Sequence, residues 1–313
     1  MTASEHPAAL PLFGHEAALV LFKKAFESGR LHHGWMIHGE SGIGKTRFAF
    51  ACARILLNGI DLQSRAGRQI SAGTHPNLLV ITRRMDEKRK RMRQEIVIDD
   101  VRPVQDFLHH TAADGAWRVV IVDAAETLNR NAANALLKLL EEPPNQTVFF
   151  LTCPTPSALL PTIRSRCRLM ALDALSPEQT RQVLRHHGKS GAELDTLADQ
   201  AQGAPGRVLA TDQGTDRTAR HLADTLLENG ASADPEALAS LLRHDDGFAV
   251  LCSLLGEALA NRARTLAGQG NLMQASKAAE AFSSLQTLRR ETERFNLDKN
   301  QAVRQAAAIA SAP

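Results

Sequence analysis

The chain of 313 residues contains no tyrosine, and its aromatic residues together amount to 4%. An all-β sandwich stabilised by aromatic cross-strand pairs is therefore a poor fit. Cysteine is sparse as well. Cys52, Cys153, Cys167 and Cys252 are scattered, and no two stand in a C-x-x-C spacing. Such a scatter supports neither a disulfide framework nor a tetrahedral zinc site. No apolar run approaches the roughly 18 residues that a membrane-crossing helix needs. The first sixteen residues lack both a basic start and an apolar stretch. No signal peptide is expected, and the expected compartment is the cytoplasm.

What the chain does have is ordinary globular material. Apolar residues make up 43% and charged residues 23%, which permits a sizeable core and excludes wholesale disorder. At about 100–200 residues per domain, the length predicts two or three domains. The net charge is only +3, too mild to establish nucleic-acid binding. One segment sets its sign. Residues 83–93 carry seven basic and two acidic side chains, so the rest of the chain is slightly acidic. This run fits a solvated loop or hairpin, and also a sequence-independent contact with DNA phosphates.

Strand-like and helix-like segments alternate through the first half. Residues 35–38, 77–82, 117–122 and 147–151 read as buried strands, with a fifth at 167–172. Helical spacing occupies residues 45–57, 99–111 and 129–142, the last stopped by Pro143 and Pro144. This alternation predicts an α/β fold with a mainly parallel sheet. From Ser176 the strand signal vanishes. Ser176, Pro177 and Gln179 supply an N-cap, an N1 proline and an N3 partner. Beyond about Gly214 the pattern is helical to the end, which indicates a separate all-helical domain.

The sharpest chemical signal is Gly39-Glu40-Ser41-Gly42-Ile43-Gly44-Lys45-Thr46, a full match to G-x-x-x-x-G-K-[ST]. The glycines let backbone N–H groups face phosphate oxygens. Lys45 would reach the β- and γ-phosphates, and the Thr46 hydroxyl would hold Mg²⁺. A chance match in such a chain is on the order of one in a hundred. Asp123, ending an apolar strand, is placed to complete the Mg²⁺ shell. Active ATPases of this type follow that Asp with Glu. Here Ala124 stands there, and the next acid is Glu126. Thr152 ends a strand as a candidate phosphate-facing residue. Arg207 fits a guanidinium laid across a nucleotide and fits a helix surface equally well. Arg164 and Arg166, on a loop, are by themselves compatible with solvated or ion-paired side chains.

Three stretches in order carry a resemblance: residues 134–144 (NALLKLLEEPP), residues 159–167 (LLPTIRSRC) and residues 203–207 (GAPGR). Their wording and spacing resemble the AAA+ subunits of the bacterial DNA polymerase III clamp loader, the delta-prime branch more than gamma/tau. Residues 12–18 (LFGHEAA) and 296–303 (NLDKNQAV) are similar to its alphaproteobacterial form. The resemblance implies a RecA-like AAA+ P-loop domain (1–173), a small helical lid (174–213) and an all-α collar for oligomerisation (214–313). It implies ATP or ADP with Mg²⁺ as ligands and gamma/tau and delta subunits as ring partners. The sliding clamp and primed DNA would be reached through the complex, with no membrane partner. It makes Thr152 the sensor-1 position, Arg207 the sensor-2 position and Arg166 an arginine finger acting in trans. Little or no ATPase activity is expected of the isolated chain, and no polymerase activity. The alternatives are an ATP-hydrolysing gamma/tau-type subunit and a free-standing P-loop NTPase.

Many proteins of that family carry a four-cysteine zinc module after the first helix, whereas residues 58–75 here contain no cysteine. Structural zinc needs four N/S ligands, so elemental analysis of the dialysed protein is expected to find far less than one zinc per chain. One equivalent would refute this reading.

Overall fold

A computed structural model describes residues 7–86, 91–109, 116–210, 222–223, 225–226, 236, 241–242, 247–295 and 297–311. The chain divides into two compact units, Met1–Val208 and Leu209–Pro313.

The first unit is built on a five-stranded sheet. Its strands are β1 (Gly34–His38), β2 (Leu78–Ile81), β5 (Arg118–Val122), β6 (Thr147–Cys153) and β7 (Arg168–Ala171). They run parallel in the order β2-β5-β6-β1-β7. The side chains alternate strictly. Trp35, Ile37, Val119, Ile121, Val148 and Phe150 enter one core, with Phe22, Phe48, Cys52 and Leu56 from α1 (Glu16–Glu27) and α2 (Lys45–Leu56). Met36, Val120, Val122, Phe149 and Leu151 enter the other, with Val101, Val104 and Leu108 from α4 (Ile98–His109) and Leu136 and Leu140 from α5 (Arg130–Glu141). Helices therefore cover both faces, which is why these strands read as continuous β-branched and aromatic runs.

The helix ends follow their side chains. Asn129 Oδ1 accepts from the Ala132 N–H at 2.9 Å and starts α5. Ser176 and Gln179 form a complete capping box, at 3.2 and 3.0 Å, that starts α7 (Pro177–His186). Helices α8 (Gly191–Ala201) and α9 (Pro205–Ala210) follow. In the second unit, α10 (Gly247–Gly268), α11 (Leu272–Phe295) and α12 (Lys299–Ser311) share a core of Leu251, Leu255, Leu259, Leu285, Val303 and Ala306.

The basic run begins and ends in a small hairpin. Strands β3 (Met85–Asp86) and β4 (Arg91–Met92) pair antiparallel. Its base is tied to α4: the buried Asp100 carboxylate takes Arg84 at 3.2 Å and Arg93 at 3.9 Å. It also accepts from the Val97 N–H at 3.0 Å. Two of the basic residues thus serve an internal acid. Residues 87–90 lie outside the described residues.

A second buried charge organises the segment where the family resemblance sets a zinc module. Arg54, 9% exposed, donates to the carbonyls of Gly59 (3.1 Å) and Gly67 (3.3 Å), to Ser71 Oγ (2.8 Å) and to the Ala8 carbonyl. One planar guanidinium so gathers the end of α2, the following loop, α3 (Arg65–Ser71) and the short 3₁₀ helix Pro7–Ala9. Each buried acceptor left unpaired costs roughly 1–3 kcal/mol. Arg54→Met is therefore expected to lower unfolding stability by several kcal/mol in chemical denaturation. Arg54→Lys should recover little, because a point charge cannot reach four separate acceptors. Wild-type stability in both variants would show that this segment is held by other contacts.

Candidate functional site

Parallel sheets present ligand sites at the C-terminal ends of their strands, and the sequence-predicted residues collect there. The phosphate-loop residues 39–44 leave β1 and run into α2, whose N-cap is Gly44 at φ 101°. Asp123 follows β5, and Thr152 lies near the end of β6, in register with Ile37 of β1.

The three polar side chains meet at one oxygen. Thr46 Oγ1 donates to Asp123 Oδ1 at 2.6 Å, and Thr152 Oγ1 donates to the same atom at 2.8 Å. Thr152 Oγ1 in turn accepts the Ala124 N–H at 2.9 Å. Ala124 itself is left-handed, with φ 57° and ψ 55°, a conformation that costs a non-glycine residue about 1–2 kcal/mol. The position after Asp123 is thus a tight turn whose amide is fastened to Thr152, leading into the 3₁₀ helix Ala125–Thr127.

The loop's carbonyl oxygens are all accounted for from Gly39 to Glu40 and from Gly42 to Ile43. Lys45 Nζ donates to Gly39 O at 2.9 Å and to Glu40 O at 2.7 Å. The Gly206 N–H donates to Gly42 O at 2.9 Å. His15 Nε2 bonds Ile43 O at 2.9 Å. Burial lowers the pKa of the Lys45 ammonium, against the pull of Glu126, Cys153, Asp123 and Glu40. Partial burial raises the Glu126 carboxyl, with Lys45 pulling it back down. Burial, then the Glu126 charge, pushes the Cys153 thiol up to about 11, so it stays protonated near neutrality. Glu126 and Lys45 therefore feel each other's charge, which brings Glu126 to the edge of the cluster.

Helix α9 sits directly on the loop. A Cβ built on Gly42 (φ +86°) would come within 2.7 Å of the Arg207 N, and one on Gly206 within 2.8 Å of Gly42 Cα. Backbone thus touches backbone where only glycines allow it. Arg207 lies beside the loop, its Nη1 3.7 Å from the Glu40 carboxylate.

Arg166 stands apart from this cluster. It follows α6 (Pro161–Arg164); its side chain donates hydrogen bonds to Thr162 and Ser165 and forms an ion pair with Glu141, none of them from the phosphate loop. Sequence reasoning missed Glu141, His15 and Gly206. Glu141 lies inside a quoted motif, but its partner is visible only in three dimensions. The roles of His15 and Gly206 depend on folding that no local pattern announces.

As donors, Thr46 and Asp123 are adjacent hard oxygens of the kind Mg²⁺ takes beside phosphate oxygens and water. Among the described residues there is no group of three or more His, Cys, Asp or Glu side chains that would hold a metal by itself.

Comparisons with known proteins agree with this geometry. Residues 14–176 match the family model described as DNA polymerase III, delta subunit. The chain is 36% identical to the DNA polymerase III subunit delta' of Escherichia coli K12 over 251 residues, 75% of this chain and 72% of that protein. It is 32% identical over 183 residues to the tau subunit of the same organism, spanning 55% of this chain but 26% of that one. Among solved structures, a DNA polymerase III gamma subunit-related protein from Thermotoga maritima shares the fold. Its TM-score is 0.50 at 20% identity, covering 94% of this chain and 98% of that one. A phosphate loop, its strand-end aspartate and a family match over more than half the chain lead to one assignment: the chain belongs to the DNA polymerase III delta-subunit family.

Proposed function

We propose that this chain is a clamp-loader subunit of the DNA polymerase III holoenzyme, of the delta-prime type. In this reading it joins gamma/tau and delta subunits in a ring and helps that ring open the sliding clamp and place it on primed DNA during replication. Residues 1–173 form the nucleotide-binding domain, 174–213 the lid and 214–313 the oligomerising collar.

Residues 39–46 would hold ATP or ADP, with backbone amides and Lys45 on the phosphates. Thr46 and Asp123 would hold Mg²⁺, which when bound screens the phosphate charge. Thr152 positions Asp123 through the 2.8 Å bond, and Arg207 reaches the nucleotide from the lid. The residue directly after Asp123 is Ala124, so no carboxylate stands where water activation needs one. Turnover by the chain alone is expected to be slow.

The observation that supports the reading is that the Arg166 side chain is held by Glu141 at the end of α5 and by Thr162 and Ser165 at α6, none of them part of the phosphate loop. In this reading the guanidinium serves a neighbour's nucleotide. Negative charge spreads over the transferring phosphoryl oxygens in hydrolysis, and a permanently charged planar fork stabilises it.

In a reconstituted loader with clamp and primed DNA, Arg166→Ala is expected to lower steady-state ATP hydrolysis at least about tenfold, since such a finger is worth orders of magnitude at the site it serves. Arg166→Lys should restore little. Assembly, and nucleotide binding by the isolated chain, should be unchanged. Wild-type rates from the assembled Arg166→Ala complex would overturn the trans role. Robust turnover by the chain alone, lost in Lys45→Ala, would favour the gamma/tau-type alternative.

A further inference from the structure

Glu141 is the last residue of α5, and its Oε1 lies 2.7 Å from Arg166 Nη2. An acid at a helix C-terminus opposes the helix dipole, and here Glu142 and two prolines follow it. The pair is well exposed, 36% for Arg166 and 43% for Glu141, and exposed pairs add little stability. Neither the helix nor the stability of the fold accounts for a carboxylate at this point.

The guanidinium does. Arg166 Nη1 donates to the Thr162 carbonyl at 3.0 Å and to Ser165 Oγ at 3.3 Å. Both partners ride on the same turn as Arg166 and move with it. Glu141 comes from a different element, one packed through Leu136 and Leu140 into the core against the sheet. Among the described residues, it is the contact that ties the guanidinium to another element of the domain. Both hydrogen bonds are made by Nη1, and the Glu141 carboxylate lies against Nη2 as an ion pair. An arginine has five N–H donors, so the guanidinium keeps donors beyond those two bonds with which to grip an oxyanion.

We propose that Glu141 is a positioning residue for Arg166: it holds the guanidinium in the orientation from which its remaining N–H donors engage the neighbouring subunit's nucleotide. This rests on the trans-finger reading of Arg166. A side chain held in its working rotamer forfeits less freedom when it engages phosphate, and that saving belongs to turnover rather than to ATP affinity.

The test is steady-state ATPase of the reconstituted loader with clamp and primed DNA, comparing wild type, Glu141→Ala, Glu141→Gln, Arg166→Ala and the double variant. Glu141→Ala is expected to lower kcat by about 3–10-fold with KM for ATP unchanged, the cost of one freed rotamer-rich side chain. Glu141→Gln, which keeps an acceptor, should fall between it and wild type. The double variant should be no slower than Arg166→Ala, because Glu141 acts only through that arginine. Melting of the isolated variants should match wild type, and Glu141→Gln carries the test if Glu141→Ala assembles poorly. A wild-type or faster rate in both Glu141 variants while Arg166→Ala is slow would overturn this proposal alone. So would a further loss in the double variant. If Arg166→Ala is itself neutral, the finger reading fails and this proposal with it.

Discussion

A loop that turns its amides toward a ligand must find donors for its carbonyl oxygens elsewhere, and the top of the sheet is arranged around that constraint. A buried backbone acceptor left unpaired is costly. Here the donors are drawn from three distant parts of the chain: the Lys45 ammonium from α2, the Gly206 amide from α9 and the His15 ring ahead of α1. The loop is therefore the meeting point of the sheet, the N-terminal segment and α9. Lys45 has two possible uses. While it serves Gly39 and Glu40 it closes the loop on itself, and a phosphate has to draw it away from two good acceptors.

Beside the loop, Asp123 Oδ1 accepts two hydroxyl protons and so links α2, β5 and β6 through a single atom. In the turn that follows, Ala124 stands directly after Asp123. Ala124 adopts a left-handed conformation and gives its amide to Thr152, so the backbone there is committed to bracing. Among the charged groups near the loop, Lys45 and Glu126 moderate each other. Arg166 is carried on another part of the first unit, against the end of α5.

Much of this was legible from the residues. All five strands of the parallel sheet lie within one or two residues of their expected positions, because each carries a short apolar run, fully buried in β5 and β6 and less so in the edge strand β7. The stop of α5 before Pro143 and the capping box at Ser176 follow from single residues with fixed backbone consequences. The cluster of Thr46, Asp123 and Thr152 follows from placing Thr46 in the first turn of the helix after the loop and the other two at strand ends. Helices α1 and α3 carry weaker signals. His15 starts α1 from a left-handed conformation without a side-chain cap. The short α3 is seven residues long, and Arg54 bonds its Gly67 carbonyl and Ser71 hydroxyl. Arg54 itself looks like a helix-surface residue until its four acceptors are seen. What could not be read was always a pairing between elements: Arg54 with its loop, His15 with Ile43, Glu141 with Arg166.

The contact between the loop and α9 has a consequence for what fits at either position. A Cβ on Gly42 would meet the Arg207 amide, and one on Gly206 would meet the Gly42 backbone. These are main-chain atoms that every residue carries, so changing one glycine does not make room at the other. Gly42 also has a backbone angle that L-residues avoid. The close seat of α9 on the loop therefore demands glycine twice over, each for its own reason.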